Sequence, residues 1–248
     1  MKILTAISSV PDTTSNISFT ADNTQFDKNG VQFIINPLDE FCLSKAIYLQ
    51  EQQGAEVTII TVGDVSVEPV MRKALAIGAK DAIRVNANHT DSENVAKEIA
   101  AVAKDGNYDI ILFGRESFDY NGGQVAGRVA AELGLPFVNV VTGLEINGNT
   151  AKVTRETDNG KETISVDMPV VLAGQKDLVQ ENELKIPNMR GIMTARTKPL
   201  KVVEPQFFET KVKTISYEKP KSRSAVVLVD KNNLDELVRL LHEEAKVI

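Results

Sequence analysis

Short apolar runs alternate with segments of helical period along the first half of the chain, up to about Pro136. The clearest runs are residues 3–7, 57–62 and 110–113, which are apolar with almost no interruption, as strands covered on both faces should be. Strands and helices in alternation are typical of βαβ units around a parallel sheet. The pattern therefore predicts an α/β fold with a doubly wound, mostly parallel sheet.

Helices are marked between these strands by apolar residues at the spacing i, i+3, i+4 and i+7. One is predicted from residue 67 to a stop at Gly78. A second is predicted to open at Thr90 and Glu93, which have the spacing of a capping box. An earlier helix is marked by apolar residues around Ala46.

The sequence changes character after Pro136 and gives a run of strand-like segments at residues 137–146, 151–156, 162–166 and 169–173. Two Asn-Gly pairs, at 147–148 and 159–160, are typical of hairpin turns. The sheet is therefore predicted to gain an antiparallel extension.

The C-terminal quarter of the chain is predicted to hold a loop and an arm. Residues 175–199 lack a clear period, and a loop this long inside a domain is usually functional or docked against something. Residues 1–200, including this loop, are therefore assigned to the α/β domain, and residues 201–248 to an arm. Within the arm we predict a strand at 225–229.

A terminal helix is predicted in the arm on Leu234, Leu237, Val238 and Leu241. About 25 residues of mostly polar sequence separate it from the domain, a length typical of extended tails. Its apolar stripe fits two alternatives equally well. The helix either folds back onto its own domain or grips another chain.

Composition excludes several classes of function. The net charge of -6 and the pI near 5.2 argue against nucleic-acid binding, and the cationic stretch at 211–223 is interpreted as a solvated strip or linker. The single cysteine, Cys42, is expected in the core, and His89 and His242 have no obvious catalytic partner. One cysteine leaves too few thiolates for a zinc or iron-sulfur site, so we expect no metal site. We also expect no membrane insertion and a cytoplasmic location, because no signal peptide or membrane-length apolar run is present.

The loop at residues 114–127, directly after a predicted strand, is the best candidate for chemistry. Gly122 and Gly123 would let the backbone approach a phosphate, and Ser117, Asp119 and Gln124 could add hydrogen bonds. The loop lacks a P-loop lysine, and similar loops occur for steric reasons alone, so nucleotide binding and a purely structural role both stay open.

Other loops are expected at the same edge of the sheet, at residues 8–13, 36–40 and 63–64. Taken alone, Asn36 or Asp39 is better explained as a helix N-cap than as a ligand. The sequence shows no nucleophile elbow, paired carboxylates or triad histidine, and Asp119 is better explained as a ligand or loop-ordering residue than as a base. The chain is therefore not expected to be an enzyme.

Several ordered motifs together resemble the beta subunit of electron transfer flavoproteins. They lie at residues 10–13, 36–40, 72–79, 114–125, 153–169 and 189–199. The sequence departs from the family pattern at Leu38, where relatives have an aromatic residue, at Arg115, where they have lysine, and at Gly123 and Ser8-Ser9, where polar and basic residues are common. The resemblance covers nearly the whole chain.

The resemblance implies a flavodoxin-like, adenine-nucleotide-binding domain that pairs with a larger alpha subunit holding the redox FAD. The bound nucleotide would be AMP, or a second FAD if the pair is electron-bifurcating. The heterodimer would carry electrons from acyl-CoA dehydrogenases of fatty acid oxidation to a downstream acceptor. The alternative is a free-standing adenine-nucleotide module of the stress-protein type.

The resemblance also places two sets of residues. The nucleotide site would comprise Ala6, Asn36, Pro37, Leu38, Asp39, Val62, Gly63, Gly114, Arg115, Ser117, Asp119, Gly122, Gly123, Gln124 and Val125, with the phosphate near the last four. The dehydrogenase-docking set would comprise Met189, in the place of a protruding leucine, with Arg190, Ile192, Met193 and Arg196.

Overall fold

The computed structural model of the chain describes residues 1–88, 91–207, 209–221 and 225–248. His89, Thr90 and Arg223, which the sequence analysis singled out, lie outside these ranges. The strands are β1 (Lys2–Ala6), β2 (Ser9–Pro11), β3 (Phe33–Ile35), β4 (Glu56–Val62), β5 (Asp81–Val85), β6 (Ile110–Gly114), β7 (Phe137–Asn147), β8 (Thr150–Thr157), β9 (Gly160–Asp167), β10 (Val170–Gly174) and β11 (Leu200–Val203). The helices are α1 (Pro37–Gln53), α2 (Glu68–Ile77), α3 (Ser92–Gly106), α4 (Val125–Leu133), α5 (Met189–Ala195) and α6 (Leu234–Arg239).

One sheet organises the domain, with the strand order β11-β5-β4-β1-β6-β10-β7-β8-β9. The strands from β11 to β7 pair in parallel, whereas β8 and β9 add an antiparallel extension. Outside this sheet, β2 and β3 form a short antiparallel pair. The predicted α/β fold with a mostly parallel sheet and an antiparallel extension is confirmed.

Helices cover both faces of the parallel strands. Ile3 packs with residues of α1 and α2, and the adjacent Leu4 packs with residues of α3 and α4 on the other face. Both side chains are fully buried, which explains why the central strands are apolar without alternation. Cys42 is buried as predicted, and its thiol donates a hydrogen bond to the carbonyl of Phe113.

The predicted helices form, with small changes at their starts. A short 3-10 turn at Val65–Val67 precedes α2, and Gly78 ends that helix as predicted. Asp91 caps α3, because its Oδ1 accepts the N–H of Glu93 at 2.9 Å. The N-cap of α3 is therefore Asp91, one residue after the predicted position, which lies outside the described residues.

The C-terminal quarter differs from the expectation in three places. The region predicted to lack periodic structure contains a 3-10 turn at Glu181–Glu183 as well as α5. At the edge of the sheet, β11 pairs with β5, so the sheet takes up residues 201–203. The strand predicted at 225–229 is wrong: Val227 and Leu228 are 73% and 90% exposed, and this apolar run has no paired strand among the described residues.

The predicted terminal helix is present as α6 and continues into a π-helical turn at Leu240–Glu244. Leu234 and Val238 on this helix are 66% and 54% exposed. The structure therefore shows the stripe uncovered rather than packed on the domain.

Two cations lock α5 onto α2. The guanidinium of Arg72 donates to the carbonyls of Ala195 and Lys198, both at 2.8 Å. In return, the ammonium of Lys198 donates to the carbonyls of Leu75 at 2.9 Å and Ala79 at 2.6 Å. Each cation satisfies carbonyls at the C-terminal end of the other helix, where positive charge is favoured. This exchange fixes α5 at the surface.

Gly191 allows α5 to approach α2 closely. A Cβ added there would lie inside van der Waals contact with the carbonyl oxygen of Ala76. Helix propensity alone favours alanine by about 1 kcal/mol, whereas overpacking costs about 1–3 kcal/mol. We therefore expect Gly191→Ala to lower the free energy of unfolding in urea by about 1 kcal/mol and to speed hydrogen exchange in α5.

Gly122→Ala is the control, because a Cβ at Gly122 meets no atom within 4 Å. Its unfolding free energy should stay within about 0.5 kcal/mol of the unaltered chain. A more stable Gly191→Ala variant would show that propensity, and not the contact with Ala76, dominates.

Candidate functional site

A pocket of about 510 Å³ opens at the carboxyl ends of β1, β4 and β6. The chain leaves β1 for β4 on one side, and later returns to β6 on the other side, so the strand order reverses at β1. Ligands of open α/β sheets bind in the crevice at such a reversal. The volume lies in the usual range for small-molecule sites.

The structure brings most of the predicted nucleotide-site residues together around this pocket. Those that line it are Ala6, Asp39, Val62, Gly114, Arg115, Ser117, Asp119, Gly122, Gly123, Gln124 and Val125. Asp119 also orders its own loop, since its Oδ1 accepts the N–H of Tyr120 at 2.8 Å. The role of these residues in binding a cofactor stays a prediction.

Four predicted residues do not line the pocket, namely Asn36, Pro37, Leu38 and Gly63. Pro37 is the first residue of α1, where proline is favoured. Leu38 packs on Phe41 and Val179 in a small separate cluster. The carbonyl of Gly63 accepts a hydrogen bond from the buried guanidinium of Arg84 at 3.0 Å, so this carbonyl is engaged within the protein.

Asn36 occupies the N-cap position of α1 but makes no side-chain capping bond. Its Nδ2 donates to the carbonyl of Glu116 at 2.9 Å, and its Oδ1 accepts the N–H of Phe118 at 3.2 Å. The side chain is fully buried. The N-cap interpretation is therefore right about position and wrong about role, because the amide holds the loop that follows β6.

Asp39 joins the loops that follow β1 and β6. Its Oδ2 accepts the N–H of Ser8 at 2.7 Å, and its Oδ1 accepts the N–H of Gly114 at 2.9 Å. Burial raises the pKa of this carboxyl to about 7, although its hydrogen bonds to Ser8, Asn36 and Gly114 favour the charged form. A Cβ at Gly114 would collide with Asp39, so only glycine fits beside the carboxylate.

The N-terminus of α4 forms the pocket wall that best fits a phosphate. Gln124 is its N-cap residue and gives no side-chain bond to the first turn, whereas Asp91 caps α3 on the neighbouring wall. The uncapped first-turn N–H groups of α4 therefore remain as anion donors beside the pocket lining of Val125. Gly123 lies tight against the carbonyl of Arg115, where a Cβ would approach to 3.1 Å.

Sequence reasoning missed a polar part of the lining, formed by the charged residues Asp91, Glu93, Arg128 and Lys211 together with Ser92. The carboxylate of Glu93 forms salt bridges with the ammonium groups of Lys97 at 2.7 Å and Lys211 at 2.9 Å. The guanidinium of Arg128 lies 3.7 Å from the same carboxylate. Hydrogen bonds from Lys97 and Lys211 lower the pKa of Glu93 to about 2. The start of α3 could have been predicted as part of the site, because it follows β5 at the same edge of the sheet. Nothing in the sequence around Lys211 indicates that this residue reaches the pocket.

The predicted docking residues lie on or directly after α5, and all are exposed. Met189 and Met193 are 76% and 70% exposed, and Ile192 is 45% exposed. Arg190 and Arg196 are exposed beside them. The surface of α5 therefore combines three exposed apolar side chains with two exposed arginines.

The described residues contain neither a cluster of metal ligands nor a helix that could span a membrane. Among those residues, no cluster of three or more histidine, cysteine, aspartate or glutamate side chains is arranged to hold a metal ion. Within the same ranges, no helix has both the length and the apolar character needed to cross a bilayer.

Comparison with known proteins gives the family. Residues 23–207 match the electron transfer flavoprotein domain. The electron transfer flavoprotein subunit beta of Bacillus subtilis is 35% identical over 234 residues, covering 89% of this chain and 90% of that protein. Its namesake from Syntrophomonas wolfei is 34% identical, covering 93% and 90%. The mitochondrial subunit beta of Arabidopsis thaliana is 32% identical and covers all of both chains.

The match to the domain begins after β2 and extends from β3 to β11, so it includes the loop after β6 and α5. The mostly parallel sheet with its antiparallel extension is consistent with the same assignment. The chain belongs to the electron transfer flavoprotein beta-subunit family.

Proposed function

We propose that this chain holds an adenine nucleotide and pairs with an FAD-bearing alpha subunit to carry electrons between acyl-CoA dehydrogenases and a downstream acceptor. The observation that carries the proposal is the pocket at the strand-order reversal, lined by a glycine loop and an uncapped helix N-terminus. The shared FAD would supply the redox chemistry. This chain would bind the nucleotide and hold the pair together, and would catalyse no bond-making step.

The shape of the pocket favours AMP over a second FAD. Lys211 and Val212 of the arm form part of its wall, beside the helix end that fits a phosphate. Nearby, the hydroxyls of Tyr120 and Tyr217 lie 3.5 Å apart, which joins the glycine loop to the arm. A mononucleotide with its phosphate at the start of α4 would end at this wall, whereas a dinucleotide would need room beyond its first phosphate.

The uncovered arm supports a heterodimer rather than a free-standing module. Val226, Val227 and Leu228 are 73% to 90% exposed, and Leu234 and Val238 of α6 are also exposed. A run of exposed apolar residues marks a protein interface more often than a solvated tail. An alpha subunit that covers this surface accounts for the arm, whereas a solitary stress-protein-like module leaves it without a role.

The α5 surface supports docking of a redox partner such as an acyl-CoA dehydrogenase. Exposed methionines adapt to apolar pockets of different shapes, and Met189 and Met193 stand on a helix that is locked to α2. The cytoplasmic location stays a prediction, since the Arabidopsis relative is mitochondrial.

The direct test is co-expression of this chain with its alpha subunit, followed by release and counting of the bound nucleotides. We expect a yellow heterodimer with one FAD and one AMP, which an acyl-CoA dehydrogenase and its substrate bleach. The isolated chain, as the control, should bind AMP and little flavin. A colourless pair would contradict electron carriage, and two FAD without AMP would contradict the choice of nucleotide.

The buried carboxyl of Asp39 makes stability depend on pH. Because its pKa rises from 3.8 to about 7 on folding, the folded chain binds this proton more tightly, and stability is lost as the pH rises between those values. Asp39→Asn has no such proton. We expect urea unfolding to show the unaltered chain losing up to about 4 kcal/mol relative to Asp39→Asn between pH 4 and pH 7.

Asp12 offers the matched control for this experiment. Its carboxyl is not buried, and its hydrogen bonds from Thr14 lower its pKa. The unaltered chain should therefore lose no stability relative to Asp12→Asn between pH 4 and pH 7, since both chains retain Asp39. A constant difference between the unaltered chain and Asp39→Asn across this pH range would show that Asp39 is ionised in the folded state throughout.

A further inference from the structure

Residues 209–217 of the arm, here called the strap, contribute Lys211 and Val212 to the pocket lining and are attached to the domain at both ends. At one end, the buried amide of Asn94 donates to the carbonyl of Glu209 at 2.7 Å. At the other end, the N–H of Tyr217 donates to the carbonyl of Asn23 at 2.8 Å, and its ring stacks on Phe19. The strap is therefore fixed to the domain at both ends.

Lys211 is the strap residue that brings charge to the pocket. Its N–H donates to Oδ2 of Asp91, the capping residue of α3, at 3.2 Å. Its ammonium reaches Glu93 at 2.9 Å, and the side chain is 67% exposed. The main chain is thus held while the ammonium can turn into the pocket.

Glu93 is shared by three cations, of which Arg128 and Lys211 line the pocket. Lys97, Arg128 and Lys211 all approach Glu93. The carboxylate of Asp91 is occupied by the N–H groups of Glu93 and Lys211. Arg128 and Lys211 line the same pocket as Val125 at the uncapped start of α4, where an anion is favoured.

Among the arginines and lysines that line the pocket, Lys211 is the one most open to a new partner. Arg115 is paired with Glu116 at 3.0 Å, and Arg128 is bound to Oε1 of Gln124 at 3.0 Å. Lys211 has three N–H donors on its ammonium. One of them is directed at Glu93, and the others can bind an incoming oxygen.

We propose that Lys211 is a phosphate-binding residue of the nucleotide pocket, supplied by the arm, and that it discriminates AMP from nucleosides that lack the phosphate. The proposal rests on the proposed function, in which this pocket holds an adenine nucleotide. Lys211 turns from Glu93 towards the phosphate at the start of α4. The arm, which the proposed function assigns to the alpha subunit, is then also part of the nucleotide site.

The test compares two ligands that differ by the phosphate. The full chain, freed of co-purified nucleotide, is titrated in a calorimeter with AMP and with adenosine. We expect Lys211→Met to weaken AMP binding about five- to tenfold, as loss of a partly solvated charge-assisted bond should, and to leave adenosine binding unchanged. Lys213→Met is the control, because Lys213 is an exposed strap residue outside the pocket lining and should change neither affinity.

A second variant should change the AMP affinity in the opposite direction. Glu93→Gln removes the anion that competes with phosphate for Lys211 and Arg128, so AMP should bind more tightly and adenosine as before. Equal AMP affinity in Lys211→Met and the unaltered chain would overturn the proposal. So would an equal loss for AMP and adenosine, or no gain in Glu93→Gln. If the unaltered chain bound neither ligand, the nucleotide site itself would be wrong.

Discussion

The start of α1 holds together the two strand ends between which the pocket opens. Asp39 accepts main-chain N–H groups from the loops after β1 and β6, and Asn36 bonds to two points further along the second loop. Because buried main-chain groups need partners, these side chains replace hydrogen bonds that the loops do not make themselves. The width of the pocket mouth therefore depends on one turn of helix that contributes little of its lining.

The position of Asp39 at the start of α1 limits which residues can pack beside it. The carboxyl of Asp39 is buried, which raises its pKa, and the space beside it admits only glycine at position 114. The opposite wall is built differently, since ion pairs around Glu93 and a strap from the arm form it. The pocket thus has one wall fixed by buried hydrogen bonds and another that depends on exposed charges. Salt and pH are expected to act on these walls separately.

Much of the fold could be predicted from the sequence because its strands are covered on both faces and its helices are amphipathic. The short β5 was not predicted, because Arg84 interrupts its apolar pattern. This arginine is nevertheless buried, since its guanidinium donates hydrogen bonds to Glu68, Gly63 and Asn86. The strand predicted at 225–229 is wrong for a different reason. Its residues have strand propensity, but propensity forms a strand only where a sheet edge is available for pairing.

The glycine loop of the site could be predicted because its position after β6 and its composition are local properties. The roles of Asn36 and Asp39 could not, because an N-cap and a loop anchor have the same residues before a helix, and only the tertiary structure distinguishes them. Lys211 reaches the pocket from more than 80 residues beyond Gln124, through a polar segment without a period. The measurement that tests the account most directly is the AMP affinity of Asn36→Ala, with the exposed Asn29→Ala as its control. We expect at least about a tenfold loss for Asn36→Ala, although Asn36 does not line the pocket, and no loss for Asn29→Ala. An unchanged affinity in a folded Asn36→Ala chain would contradict the claim that the start of α1 builds the site.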